Sequence, residues 1–215
     1  MALTLYGLPG SPYAWRVQLL LEHKGLDYEL HKVDFGGGEL RSDAYRAINP
    51  RGKVPVLKDG DFTLYESLAI LEYLEDRYAD STRLYPGDPQ KRAVARRVIC
   101  EIDNYWLPPM TQIFENVYFK PNEADWDEQA MTEGRAGLSK ELAHFESLVQ
   151  GDSFVSGEFG AAELCLYPML AHLPRYERRR ESLALTREVG PGLRALMKRV
   201  ESQPYFDKTF PAHWR

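Results

Sequence analysis

The sequence predicts a small α/β domain followed by a larger all-helical one. Three observations carry this. Over the first eighty residues the apolar period alternates between that of strands and that of helices. Residues 79–88 are rich in turn signals, with Asp80-Ser81-Thr82 and Pro86-Gly87-Asp88-Pro89. Beyond them strand signals vanish, and long helical periods run over 89–119, 127–149, 162–173 and 190–202. The expected boundaries are 1–79 for the first domain, 80–88 for a linker and 89–215 for the helical domain.

Leu3-Thr4-Leu5-Tyr6 reads as a short strand, closed by Gly7 and the turn residues Leu8-Pro9-Gly10. From Ser11 the period changes: Pro12 suits a first helical position, and Tyr13, Val17, Leu20 and Leu21 share a face until Gly25. Tyr28 to Val33 is a second strand. Gly36-Gly37-Gly38 lies in an irregular segment; with no helix-opening Lys-Ser/Thr after it, it is a flexible connection and not a phosphate loop. Lys53–Leu57 and Phe62–Leu64 form a hairpin about Asp59-Gly60, and a helix follows from Glu66 with Ile70, Leu71, Leu74 and Tyr78 inward.

The composition excludes several classes. With 27 Lys+Arg against 32 Asp+Glu the net charge is -5, the wrong sign for a nucleic-acid binder. Two cysteines, Cys100 and Cys165, are too few for a disulfide framework, and both sit in apolar helical contexts that predict burial. His23, His31, His144, His172 and His213 lack metal-ligand spacing, so no metal is expected. No stretch approaches the roughly 20 apolar residues of a membrane span. The N-terminus lacks the basic and apolar regions of a signal peptide, and a cytoplasmic location is the expectation. The run Arg175 to Glu181 reads as a solvated helix face.

Three motifs carry chemistry. Ser11-Pro12-Tyr13-Ala14 stands where a strand runs into a helix, the place of a Cys-x-x-Cys dithiol. Both sulfur positions are replaced, so thiol–disulfide exchange is excluded. Ser11 either caps the helix or offers its hydroxyl, with the helix-terminal N–H groups, to an anion on a ligand. Val54-Pro55 opens the hairpin: either an edge-strand proline, or a cis bond that turns the main chain of Val54 toward an extended peptide. Glu66-Ser67 opens a helix, as a capping pattern or as a holder for the amine and carboxylate of an α-amino acid.

Together these features resemble the cytosolic glutathione transferase family over nearly the whole chain. The matching stretches are SPYAWRV, NPRGKVPVL and YESLAILEYLEDRY, then a weaker FVSGEFGAAELCLYPML. The resemblance implies a thioredoxin-like first domain and a helical-bundle second domain, of a serine-type class. It implies that Ser11 donates to the sulfur of glutathione, the co-substrate. Val54, before a cis-Pro55, would pair with the cysteinyl unit, Glu66 and Ser67 would hold the γ-glutamyl end, and Lys53 the glycyl carboxylate. Tyr6 is the alternative hydroxyl. Leu8, Tyr13, Tyr105, Trp106, Met110 and Phe114 would line the site of a small hydrophobic electrophile, with Phe210 and Trp214 completing it. A homodimer is implied as well. One departure is that Gly160 and Glu163 replace the usual Ser/Thr and Asp that cap a helix of the second domain. Within the family a maleylacetoacetate isomerase is the nearest alternative, although that class carries Ser-Ser-Cys where this chain has Ser11-Pro12-Tyr13. A non-catalytic binding protein on the same fold is the alternative from another class.

Overall fold

The computed structural model describes residues 3–154 and 157–215. Val155 and Ser156, within the fourth family-like stretch, lie outside the described residues. The chain divides into two compact units, residues 1–84 with 202–215, and residues 85–201.

In the first unit β1 (Leu3–Gly7) leads through α1 (Pro12–His23) to β2 (Tyr28–Lys32), then α2 (Asp43–Ile48), β3 (Val56–Asp59), β4 (Phe62–Tyr65) and α3 (Ser67–Arg77). The sheet order is β2-β1-β3-β4, with β1 parallel to β2 and antiparallel to β3. This is the thioredoxin-like arrangement. Alternation along β1 sends Leu5 and Gly7 to one face, where Gly7 leaves room for Ala14 of α1: a Cβ on Gly7 would stand 3.4 Å from that of Ala14. Tyr6 turns to the other face and joins Val33, Tyr45 and Val56 beside α2.

α2 occupies the segment expected to be irregular. Six residues with only Tyr45 and Ile48 turned inward give too little period to register as a helix; the hydroxyl of Ser42 caps it by accepting from Tyr45 N–H at 3.1 Å. The hairpin begins later than expected, at Val56. Pro55 has no N–H for a ladder, and the carbonyl of Lys53 is taken by the side chains of Tyr45 in α2 and Asn49 at its C-cap. The turn is the two-residue Gly60-Asp61 loop, with Asp59 opposite Phe62 and Gly60 at φ 60°.

The C-terminal segment corrects the expected domain boundary. Residues 202–215, assigned to the helical domain from sequence, belong to the first unit. α9 (Phe206–Thr209) and the residues after it cover Trp15, which is 3% exposed. The indole N–H donates to Thr209 Oγ1 at 3.1 Å, and the ring meets Phe206, Phe210 and Trp214 at 5.4–6.4 Å. At the far end of α1 the buried Lys24 ammonium donates to Glu75 at 3.0 Å and to the carbonyl of Thr82, and Glu75 also accepts from Leu84 N–H. These bonds fix the course of the chain as it leaves the unit.

The second unit is helical among the described residues. α4 (Pro89–Glu101) runs through a π-turn, Ile102–Trp106, into α5 (Leu107–Phe119). Pro108 and Pro109 lack the N–H groups that an α-helical ladder would need there, and the wider turn absorbs the break. α6 (Glu128–Leu148) packs closely on α5 through Gly134 and Gly137, where an added Cβ would meet Pro109 at 2.8 and 2.6 Å. α7 (Ala161–Glu177) and α8 (Pro191–Glu201) complete the unit. Glu163 accepts from Gly160 N–H at 3.0 Å and from Phe154 N–H at 2.7 Å, so the reach-back half of the cap is kept, while Gly160 has no side chain to supply the other half. Two other expectations are corrected. Cys100 is exposed while Cys165 is buried, because Cys100 falls on the outer face of α4. Arg178 to Arg180 are not a helix face: α7 ends at Glu177, and Arg180 leaves the turn to pair with Glu128 through both ends of its guanidinium.

Candidate functional site

Strand register assembles the site. Tyr6 of β1 lies opposite Val56 of β3, and Val56 lies opposite Tyr65 of β4. The β1–α1 turn, the Val54-Pro55 segment and the Glu66-Ser67 helix start therefore leave one and the same end of the sheet. The three motifs, far apart in sequence, become neighbours through main-chain pairing.

Ser11 is half-buried at the N-cap of α1, after a turn in which its N–H donates to the Leu8 carbonyl at 2.9 Å and Gly10 takes φ 88°. Its Oγ accepts from Ala14 N–H at 3.4 Å. That bond uses a lone pair and leaves the O–H to donate, so capping and donation to an anion are compatible. Tyr6 is placed differently: its ring is 4.7 Å from His31 and 6.3 Å from Tyr45, packed on the α2 face.

The Val54–Pro55 bond is cis. The loop before it is held by a bond pattern invisible in the sequence. The hydroxyl of Tyr45 and the amide of Asn49 both donate to the Lys53 carbonyl, at 3.0 and 2.7 Å, while Asn49 Oδ1 accepts from Arg51 N–H. Among the described residues no partner takes the main-chain N–H or C=O of Val54. Lys53 points an exposed side chain outward.

Glu66 has φ 71° and ψ 110°, a left-handed conformation costing a non-glycine residue on the order of 1–3 kcal/mol. It is exposed, and its side chain makes no capping bond, so the first N–H groups of α3 are left without a side-chain cap. Ser67 is buried behind it, and its hydroxyl accepts from Arg16. Arg16, which sequence reasoning passed over, carried a signal: a charge on the apolar face shared by Tyr13, Val17 and Leu20 needs a buried polar partner.

The residues expected around an electrophile divide between the units. In the first, Leu8 and Phe210 line a cavity of about 420 Å³ between the β1–α1 turn and residues 207–215; neither Ser11 nor Tyr13 borders it. Tyr13 is half-buried beneath the Arg16 guanidinium, 4.8 Å from its ring. In the second, Tyr105 is 60% exposed and Phe114 half-buried against Tyr118 and Phe119. Trp106 and Met110 are buried, Trp106 beside Phe145, and serve the core of that unit. No cluster of metal-ligating side chains occurs among the described residues, and no described helix is long and apolar enough to cross a membrane.

Comparison with known proteins agrees with this architecture. Residues 5–82 match the family model for the glutathione S-transferase N-terminal domain. A maleylacetoacetate isomerase of Rattus norvegicus is 32% identical over 98% of this chain and 96% of its own length. Glutathione S-transferase F14 of Arabidopsis thaliana is 32% identical over 88% of this chain and 75% of its own. The crystal structure of poplar glutathione transferase F1 superposes with a TM-score of 0.83 at 25% identity, covering 97% of this chain and 96% of that one. A thioredoxin-like sheet followed by a helical unit is the architecture of a glutathione transferase fold. The chain belongs to the glutathione transferase family.

Proposed function

We propose that this protein binds glutathione at the assembled sheet end and holds its sulfur as a thiolate through Ser11, for attack on a small hydrophobic electrophile. The observation that carries the reading is the Ser11 O–H at the start of α1, which donates to no partner among the described residues, beside a cis-proline segment whose Val54 main chain has no partner among them either. Val54 would pair with the cysteinyl unit. The α3 start, with Glu66 and Ser67, would take the γ-glutamyl amine and carboxylate, and Lys53 the glycyl carboxylate.

The energetics are sufficient. A free thiol with pKa near ~8.5 is only a few per cent ionised at pH 7, and lowering it by ~2 units takes about 2.7 kcal/mol of preferential anion stabilisation. One hydrogen bond to a charged group supplies about 1.5–3 kcal/mol and a helix N-terminus about 0.3–2. Ser11 donates a proton's hydrogen bond without giving the proton up, so the sulfur remains the nucleophile. It attacks an electrophilic carbon, and the leaving group departs with its bonding pair.

A second reading has its own support, the length over which the rat isomerase matches. The same thiolate can add to a carbon–carbon double bond, permit rotation and leave, isomerising a cis-enedione without consuming glutathione. Retention on immobilised glutathione tests the binding. An aryl-halide conjugation assay beside a maleyl-to-fumaryl isomerisation assay separates the two chemistries. Retention without either activity would favour a binding protein on this fold. We also propose a homodimer and a cytoplasmic location, tested by sedimentation and by fractionation.

A further inference from the structure

We infer that Arg16 is a positioning residue for the carboxylate-binding end of this site, acting through Ser67. The inference rests on the glutathione reading above and adds to it a group that fixes what Ser67 can do. Arg16 is 1% exposed and Ser67 5%. Arg16 Nε donates to Ser67 Oγ at 3.0 Å, and Nη2 of the same guanidinium donates to the same oxygen.

A serine hydroxyl has two lone pairs and one O–H, and a guanidinium has donors only. With both lone pairs spent on Arg16, the O–H of Ser67 has no role left except to donate, and Arg16 cannot be its acceptor. No other hydrogen bond reaches Ser67 Oγ among the described residues. Arginine keeps its charge at every accessible pH, so the hydroxyl is locked as a donor and polarised by the cation behind it. Ser67 is the first residue of the eleven-residue α3, whose leading N–H groups have no side-chain cap. Hydroxyl and main-chain donors thus stand together with nothing but hydrogen to offer, and the ligand group that matches them is a carboxylate. Arg16 itself stacks over the Tyr13 ring and lies about one turn beyond Ser11 on α1. One helix then carries the sulfur-binding hydroxyl at its cap and the support for the glutamyl carboxylate a turn later.

The test compares glutathione with its analogue lacking the γ-glutamyl α-carboxylate, γ-aminobutyryl-cysteinyl-glycine. Steady-state kinetics with both thiols are measured on the wild type, Ser67→Ala, Arg16→Met, Arg16→Lys and the Ser67→Ala/Arg16→Met double variant. In the wild type, removing the ligand's carboxylate is expected to raise KM about 10- to 100-fold, the size of a hydrogen bond to a charged group. In Ser67→Ala and Arg16→Met that preference falls to a few-fold, because KM rises for glutathione and much less for the analogue. The double variant is no worse than either single one. Arg16→Lys, which keeps a buried cation but loses the fork, moves the preference in the same direction and reads the effect if the methionine variant does not fold. A purely structural arginine would raise KM for both thiols alike, or lower the unfolding temperature with the preference intact, and either result overturns the inference. If the wild type uses glutathione without preferring the carboxylate, the inference fails and the glutathione reading stands. If the wild type binds neither thiol, both fail.

Discussion

The side-chain amide of Asn49 donates to the main-chain carbonyl of Lys53 at 2.7 Å, four residues on, and the Tyr45 hydroxyl donates to that same carbonyl. Asn49 is 2% exposed, so this is a buried clamp on the loop that delivers Val54. Asn49→Ala leaves the carbonyl with one donor and frees Arg51 N–H. The expected result is a loss of about 1–3 kcal/mol of stability, with a raised KM for glutathione and little change in kcat. Denaturant unfolding and thiol-dependent kinetics check it; an unchanged KM would separate the clamp from the ligand.

The Lys24–Glu75 pair gives a second prediction. Both side chains are nearly inaccessible, and each also serves the main chain, at Thr82 and Leu84. Glu75→Gln strands a buried cation and is expected to cost about 3–5 kcal/mol, whereas Lys24→Met with Glu75→Leu recovers much of that loss. A double variant as unstable as the single one would contradict this.

His23 supplies a pH dependence. Burial, helped by the neighbouring Lys24 charge and opposed by Glu75, lowers it from 6.5 to about 4. Above pH 6.5 the ring is neutral in both folded and unfolded chains. As pH falls from 6.5 toward 4 the unfolded chain takes up a proton that the folded chain refuses, so stability is lost across that window. The loss is about 2–3 kcal/mol. His23→Gln is expected to flatten this part of the stability–pH curve; an unchanged slope would assign it to other groups.

Much of this architecture is legible in the sequence, for identifiable reasons. Strand and helix periods alternate cleanly from Leu3 to Val33, and Pro55 and the Glu66-Ser67 start mark themselves by chemistry that regular structure does not want. What escapes is of two kinds. α2 is too short to show a period, and the return of residues 202–215 to the first unit depends on the partners of Trp15, which no local pattern encodes. Arg16, Tyr45 and Asn49 escape because their importance lies in bonds to Ser67 and Lys53, across a distance that only the folded chain closes. Cys100 misleads because an apolar neighbourhood in sequence includes the outward positions of a helix.

The most direct measurement is an ultraviolet titration of the thiolate of glutathione bound to the wild type and to Ser11→Ala. The bound thiol is expected to be about 2 units more acidic than the ~8.5 of a free one, a shift mostly lost in Ser11→Ala together with a fall in kcat of about tenfold or more at nearly unchanged affinity. A bound thiol no more acidic than glutathione in buffer, or an acidic thiol that Ser11→Ala leaves untouched, would contradict it.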